Sequence, residues 1–398
     1  MRVPHVVIVV ENLPVPFDRR VWMEARALRD SGYKVSVICP VGKGFCTEDE
    51  VLEDVRILRH ELHEATTMVG YIREYTSALW HESRLLARLR REGPIDVIQI
   101  CNPPDLLFLV TLAHKFLHGT RVVFDHHDIN PELFEVKFGR RGVFYWLLRV
   151  AERLTFSVAD VVISTNESYR EIALGRGRVN PDRVFIVKSA PDLAEYTAPS
   201  SHGPRAGDGC LIGYVGIMAA QDGVDVLIEA AAILLGHLAS NGLRFRIIGG
   251  GSEENNLRRR ARDLGIEESV EFTGYLYGAD MRLSLSECDL GVVPDPKNPY
   301  NDRCTMNKVL EYMALGLPVV QFDLLESRRS AGDAALYAEG NDAAALAAAI
   351  ESVCFDAVQL EQMRQAGLDR IGQLQWAVQR ESLSAAYECV LERTIWHG

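Results

Sequence analysis

The chain is expected to be an α/β protein made of two doubly wound, parallel-sheet domains. Three observations carry this. Short β-branched apolar runs recur along the sequence, and each is followed by a turn and a helical pattern. The runs are apolar on both faces, as strands covered by helices on two sides must be. A Pro-, Gly- and Ser-rich stretch, "TAPSSHGPRAGDG", divides the runs into two sets.

The first set comprises "HVVIVV", "KVSVICP", "VRILRH", "DVIQIC", "RVVFDHH", "DVVISTN" and "VFIVKSA". The second comprises "LIGYVG", "FRIIGGG", "VEFTGY", "DLGVVP" and "LPVVQF". The expected organisation is a first domain over 1–195, a linker over 196–208, a second domain over 209–370 and a final helical stretch over 371–398. The alanine-rich "DAAALAAAI" reads as an ordinary strong helix. Two doubly wound domains imply a cleft, with ligands beyond the carboxyl ends of the strands.

Composition narrows the class. The 398 residues carry 47% hydrophobic and 25% charged side chains, as an ordinary globular protein does. A net charge of -12 argues against a dedicated nucleic-acid binder. The acidity is uneven: residues 1–195 hold 26 basic and 27 acidic groups, leaving -11 on the remainder. No stretch reaches the about 18 uninterrupted apolar residues of a membrane span. "MRVPHVVIVV" runs into a strand without a signal-peptide cleavage site. Eight scattered cysteines without a CxxC pair fit buried thiols in a reducing cytoplasm. Two basic helical stretches, "SRLLARLRREG" and "KFGRRGVFYWLLRVAERLTF", read either as core-facing helices with solvated basic faces or as surfaces leaning on the inner face of an anionic membrane.

The informative residues follow the strands. In "FRIIGGGSEENNL" three glycines join a strand to a helix; they suit close backbone approach to an anion, or simply a tight turn. "RVVFDHHDINPELF" gathers Asp125, His126, His127 and Asp128 at one strand end. Adjacent residues of an extended chain face opposite ways, so the two histidines do not chelate one metal. In "ENLPVPFDRRVWMEA" Arg19 and Arg20 open a helix, where the backbone's partial positive charge disfavours cations. Lys308 repeats that placement in "NDRCTMNKVLEYMALGLP", with Thr305 expected to cap a helix from about Met306 to Leu315 and Gly316 to end it. A cation at a helix start makes sense if an anion binds there. Lys308 and Glu311, three apart, either pair with each other or meet a phosphate and a sugar diol.

At these residues the sequence resembles the retaining glycosyltransferases of family 4, of bacterial polysaccharide type. "CTMNKVLEYMALGLPVV" carries the likeness most specifically, supported by "GYVGIMAAQDGVDVLIEA", "IIGGGS", "FTGYL", "DHHDINPELFE" and "PVPFDRRVW". The resemblance implies the GT-B fold: two Rossmann-like domains facing across a cleft, the last helix crossing back to the first domain. It implies a nucleoside-diphosphate sugar, UDP- or GDP-linked, as co-substrate with no other cofactor. The donor would contact Gly216, Met218, Gly249, Gly250, Tyr275, Leu276, Asp302, Arg303, Thr305, Met306 and Asn307. Phe17, Asp18, Arg19, Arg20, Asn102 and Asp105 would hold a saccharide, lipid-linked saccharide or small-molecule acceptor. His126, His127, Asp128, Lys308 and Glu311 would stand at the reacting centre, the choice between the histidines remaining open.

Three positions depart from that family. Arg303 stands where the first of two glutamates spaced eight apart is expected, with Asp302 a candidate substitute. Ile217 and Asp222 replace two cations of the diphosphate loop. Phe17 and Asp18 replace a Gly-Gly pair. No D-x-D sequence occurs, so the resemblance implies metal-independent transfer with retention. The alternatives are a GT-B nucleotide-sugar 2-epimerase, which needs no acceptor, and a non-catalytic partner subunit.

Overall fold

Every residue of strand His5–Val10 (β1) is buried, because helices cover both faces of the sheet it centres. The computed structural model describes residues 2–61, 68–196, 209–238 and 242–392. The chain forms two compact units, one of residues 1–189 with 379–398 and one of residues 190–378. The linker expectation over 196–208 falls almost wholly outside the described residues, as does the C-terminal helical pattern beyond Glu392.

In the first unit, β1 is joined by β2 (Lys34–Pro40), β3 (Asp49–Leu52), β4 (Val55–His60), β5 (Val97–Cys101), β6 (Arg121–His126), β7 (Val161–Ser164) and β8 (Val184–Ile186). The order across the sheet is β3-β4-β2-β1-β5-β6-β7-β8, parallel except for β3. Helices α1 (Arg19–Asp30), α2 (Met68–Glu92), α3 (Phe108–His118), α4 (Asn130–Phe138), α5 (Val143–Val158) and α6 (Glu167–Gly175) connect the strands. The chain builds outward from β1 on one side and then restarts at β5 on the other. The carboxyl ends of β1 and β5 therefore flank a topological switch point. Strand β3 escapes the sequence reading because "DEVL" is acidic and largely exposed, an edge strand rather than a buried run.

The second unit holds β9 (Cys210–Ile217), β10 (Leu243–Gly250), β11 (Val270–Gly274), β12 (Leu290–Val293), β13 (Val319–Phe322) and β14 (Ala335–Ala338), ordered β11-β10-β9-β12-β13-β14 and all parallel. Its helices are α7 (Val224–Leu238), α8 (Glu254–Asp263), α9 (Gly278–Ser286), α10 (Asn307–Ala314), α11 (Leu325–Ala331), α12 (Ala343–Val353) and α13 (Ala357–Leu374). Here the switch point lies between β9 and β12. Strand β14, "ALYA", has too little β-branched character to be seen in sequence.

Two expected boundaries shift. The first unit ends at Ser189 rather than at 195, because Ala190 and Tyr196 are buried in the second unit's core. The final helical stretch is two helices, broken at Gln375: α13 and α14 (Trp376–Glu392). Residues from Gln379 onward belong to the first unit, where fully buried Tyr387 donates its hydroxyl to Gln99 Oε1 at 2.5 Å. Among the described residues no single helix is long and apolar enough to cross a membrane.

Candidate functional site

In the second unit the strand ends at the switch point carry Ile217, Asp295 and the start of α10. Asp295, just beyond β12, places its Oδ2 2.7 Å from Nζ of Lys308, and both side chains are nearly buried. The ammonium also lies 4.9 Å from the ring centre of Tyr214, whose hydroxyl donates to the Ile217 carbonyl at 2.8 Å. Burial alone would lower the pKa of Lys308, but the Asp295 carboxylate more than offsets this and holds it above the usual lysine value. The cation at a helix start therefore already has one anionic neighbour. An ammonium has three N–H donors, so Asp295 fixes its position without using it up.

The expected cap is corrected. Helix α10 begins at Asn307, and the cap position is Met306, which has no side-chain acceptor to offer. Thr305 lies one residue too early. Met306 makes no side-chain cap bond, the Val309 amide donates to the Met306 carbonyl at 2.9 Å, and Lys308 is the second helical residue. Gly316, at φ 66°, ends the helix as expected. Glu311 is half-buried, one turn along from Lys308.

Other expected donor contacts have structural occupations. Gly249 has φ 132°, and a Cβ there would come within 1.9 Å of the Gly216 carbonyl, so the paired ends of β9 and β10 need glycine at 249. The Met218 amide donates to the Gly250 carbonyl at 3.0 Å, and its side chain is fully buried in the core rather than lining a site. Tyr275 donates to the Gly250 carbonyl at 2.9 Å and stacks nearly parallel to Tyr277, while Leu276 packs against the core. Asp302 accepts from the Leu325 amide at 2.9 Å, so its carboxylate serves the start of α11. Arg303 is exposed at the end of the short turn Asn301–Arg303, and Asn307 is exposed as well. At the departing positions, Ile217 points outward and Asp222 ties its own loop by accepting from the Ala219 amide at 3.0 Å.

In the first unit, Arg20 is the centre of a buried network. Its Nη2 lies 2.7 Å from Asp125 Oδ1 and 3.0 Å from Glu24 Oε1, and its Nη1 donates to the Val187 carbonyl at 2.8 Å. Gln99 Nε2 donates to Glu24 at 2.6 Å and meets Asp125 at 3.3 Å. Burial pushes the Glu24 carboxyl up to about 8. Burial acts the same way on Asp125, but Arg20 and His127 outweigh it and hold Asp125 well below the carboxylate range. Arg20 is therefore not the acceptor-binding cation expected; the exposed Arg19 beside it is the outward one.

The histidines separate cleanly. His126 is fully buried among Phe124, Phe156 and Tyr169, and neither ring nitrogen meets a hydrogen-bond partner of normal geometry. Burial drives its pKa down to about 3, so it is a neutral core residue and not a member of the reacting centre. His127 is partly accessible, and its Nε2 is 2.5 Å from Asp125 Oδ2. The same nitrogen lies 3.0 Å from Arg20 Nε, so Asp125, His127 and Arg20 form one cluster; with Nε2 protonated, His127 donates to the ionised Asp125. Burial would lower the His127 pKa, yet the Asp125 charge and hydrogen bond raise it overall.

Asn102 and Asp105 are scaffold rather than contact residues. Asn102 accepts from the His127 amide at 2.7 Å and donates to the Asp128 carbonyl at 2.7 Å and to Asp105 at 2.9 Å. Asp105, pushed up to about 6 by burial, also accepts from Asn130 at 2.7 Å. Together they set the loop that presents His127 and Asp128. Asp18 is likewise occupied, capping α1 by accepting from the Val21 amide at 3.1 Å. The ring of Phe17 lies under Lys43, 5.8 Å from its ammonium. Cys101, Asp125 and His127 offer three metal-ligating atoms within 4.8 Å. Arg20 already supplies positive charge to this group, and burial holds the Cys101 thiol protonated, so the set fits a hydrogen-bond network better than an ion.

Sequence reasoning missed Asp295, Glu24, Gln99 and Tyr387. Asp295 follows a strand end, and Glu24 is four residues from Arg20 on one helix; both signals were present. Tyr387 and Gln99 are separated by 288 residues, and no local pattern joins them.

Comparison with known proteins agrees with this architecture. Residues 18–189 match the family described as glycosyl transferase 4-like domain, and residues 209–356 match the glycosyl transferases of group 1. Over 258 residues the chain is 25% identical to the D-inositol 3-phosphate glycosyltransferase of Stackebrandtia nassauensis, covering 61% of this chain and 57% of that one. The chain thus spans little more than half the length of that curated relative. It is 24% identical over 389 residues to the phosphatidyl-myo-inositol mannosyltransferase of Mycobacterium leprae, covering 95% and 94% of the two chains. The fold is that of sucrose-phosphate synthase from Thermosynechococcus elongatus, with a TM-score of 0.82 at 16% identity over 98% of this chain and 100% of that one.

Proposed function

We propose that the chain is a glycosyltransferase of the kind its two matching family models describe, with the GT-B fold, and that it moves a sugar from a nucleoside-diphosphate sugar to an acceptor hydroxyl with retention at the anomeric carbon. The observation that carries this is the Lys308–Asp295 pair at the start of α10, beside the switch point of the second unit. A diphosphate fits there: the helix start brings its partial positive charge, and Lys308 is kept charged and oriented.

In this reading Lys308 and the first-turn amides of α10 stabilise charge developing on the departing diphosphate. Such a preorganised donor is worth about 10²-fold or more in turnover. Glu311, one turn further, accepts from the ribose hydroxyls. The departing phosphate oxygen takes the acceptor proton, so no separate strong base, metal or cofactor is required beyond the UDP- or GDP-linked sugar. Arg303 faces the diphosphate or the sugar in place of a glutamate.

The acceptor is assigned to the first unit, with His127 and Asp128 on its side and Arg19 as the outward cation. The names of two relatives specify inositol carrying a phosphate or phosphatidyl group. A polyol or saccharide hydroxyl on a phosphate-bearing or lipid-linked molecule is therefore the acceptor class we favour, with the protein working in the cytoplasm on cell-surface glycoconjugates.

The test is a thermal-shift screen against a panel of nucleotide sugars, followed by mass spectrometry of products with and without a saccharide acceptor. A sugar nucleotide that stabilises the protein and is consumed only with acceptor supports the reading. Conversion of the sugar nucleotide to an epimer without acceptor overturns it.

A further inference from the structure

Helix α5 wears its apolar side outward. Its buried residues are Tyr145, Glu152, Thr155 and Phe156, two of them polar. Its exposed ones include Val143 at 74%, Trp146 at 58%, Leu147 and Val150 at 56%, with Phe144 and Leu154 beside them. At about 100° per residue these six side chains fill an arc of roughly 160° facing solvent. A surface helix ordinarily turns such a stripe toward the core. An exposed apolar face of this breadth marks an interaction surface.

Its charges indicate the partner. Lys137, Arg140 and Arg141 precede the helix and are exposed, Arg141 pairing with Glu135 at 2.8 Å, and Arg149 lies along the flank, 6.0 Å from the Trp146 ring centre. The only acidic residue of α5, Glu152, is buried and paired with Arg176 at 2.6 Å. A chain of net charge -12 thus concentrates cations around this outward apolar helix face. A second copy docked on this face by a two-fold axis would bring like charges together. An anionic bilayer meets both features at once: apolar side chains enter the acyl boundary, Trp146 sits at the headgroup level, and arginines reach lipid phosphates.

The other basic helix does not share the arrangement. On α2, Leu86 and Leu89 are buried, and Arg88 is held by Asp49 at 2.6 Å and Glu92 at 3.5 Å. Of the two stretches that suggested a membrane surface, α2 is a core-facing helix and α5 is not.

We infer that the outward face of α5, with Arg140, Arg141 and Arg149, docks the protein on an anionic lipid bilayer. This goes beyond the sugar-transfer reading and stands apart from the groups assigned to it. The experiment is co-sedimentation of the full chain with vesicles of phosphatidylcholine alone or mixed equally with phosphatidylglycerol. Wild type is expected to partition onto the anionic vesicles and to be released by added salt. Trp146→Glu with Leu147→Glu should lower that partition about tenfold or more, since charge replaces the inserting surface. Arg140→Ala with Arg141→Ala should reduce binding to anionic vesicles and weaken its salt dependence. These side chains are exposed, so melting temperature and nucleotide binding should be unchanged; Val143→Ser serves if the double glutamate variant fails to fold. Failure of nucleotide binding in wild type would count against the transfer reading and leave this one standing. No partition of wild type, partition indifferent to lipid charge, or equal partition of all variants overturns the inference. So does concentration-dependent self-association that the double glutamate variant abolishes, which would make the face a chain–chain interface.

Discussion

Lys308 and Asp295, thirteen positions apart in sequence, meet with 2.7 Å between ammonium nitrogen and carboxylate oxygen. Both side chains are nearly buried, so each depends on the other to offset its lost hydration. Replacing Asp295 by Asn is expected to destabilise the protein by about 3–5 kcal/mol, read as a lower midpoint in urea. It should also let burial lower the Lys308 pKa. Nucleotide affinity measured by calorimetry should then weaken toward alkaline pH in the variant while staying flat in wild type. Equal pH profiles would remove Lys308 from the anion site.

Lys308→Ala addresses the same site from the other side. Affinity for UDP or GDP should fall about tenfold or more, since a charge-assisted contact and its orientation are both lost. Turnover should fall further, by about 10²-fold, if the ammonium acts mainly on the departing diphosphate. Unchanged affinity and turnover would show that the pair is only structural.

The two adjacent histidines should respond oppositely to substitution. His126→Phe places a similar volume in an aromatic pocket and removes two unpaired ring nitrogens, so stability should change by less than about 1.5 kcal/mol and turnover should survive. His127→Phe takes the hydrogen-bond donor from Asp125 and is expected to lower turnover without a comparable effect on nucleotide affinity. Steady-state kinetics on both variants checks this; loss of activity in the His126 variant alone would reverse the assignment.

The same residues predict a pH dependence of stability. His126 is held at about 3 when folded, below the 6.5 of a free imidazole. Between those values the unfolded chain binds a proton that the folded chain refuses. Stability therefore drops as pH falls through that window, by up to about 1.4 kcal/mol per unit. His126→Phe should flatten this acid limb. His127 has the opposite sign: its raised pKa gives stability that is fully present below about 6.5 and is lost as pH rises through the folded value. His127→Phe should remove that alkaline loss. Urea denaturation across pH distinguishes the two.

Tyr387→Phe probes the return of the chain to the first unit. The hydroxyl is the donor to Gln99 Oε1, and Gln99 in turn holds Glu24 beneath Arg20. Leaving that buried oxygen without its donor should cost about 1–3 kcal/mol, measured as a fall in melting temperature. An unshifted melting temperature would mean that the C-terminal helix contributes little to the network.

Much of the architecture was legible in sequence because it rests on local patterns. Apolar runs such as "HVVIVV" and "LIGYVG" alternate with helices, and that alone specifies buried parallel strands with ligand-binding ends. Gly316 announced the end of α10 because only glycine readily takes its φ of 66°. The start of that helix was less legible. Thr305 had the chemistry of a cap, yet Met306 occupies the cap position without contributing an acceptor.

What the sequence by itself determined is the layered α/β character, the strand ends where a ligand is expected and the residue types gathered there. Periodicity and side-chain conformational preference act over a few residues and are read directly. What only the tertiary structure decided is which of those residues remain available. It paired Lys308 with Asp295 and buried Arg20 between Asp125 and Glu24. It sank His126 into an aromatic core, left His127 accessible, and turned the apolar side of α5 to solvent. The two pairings follow from the cost of burying unpaired charge. That cost depends on neighbours up to 288 positions away and has no local signature.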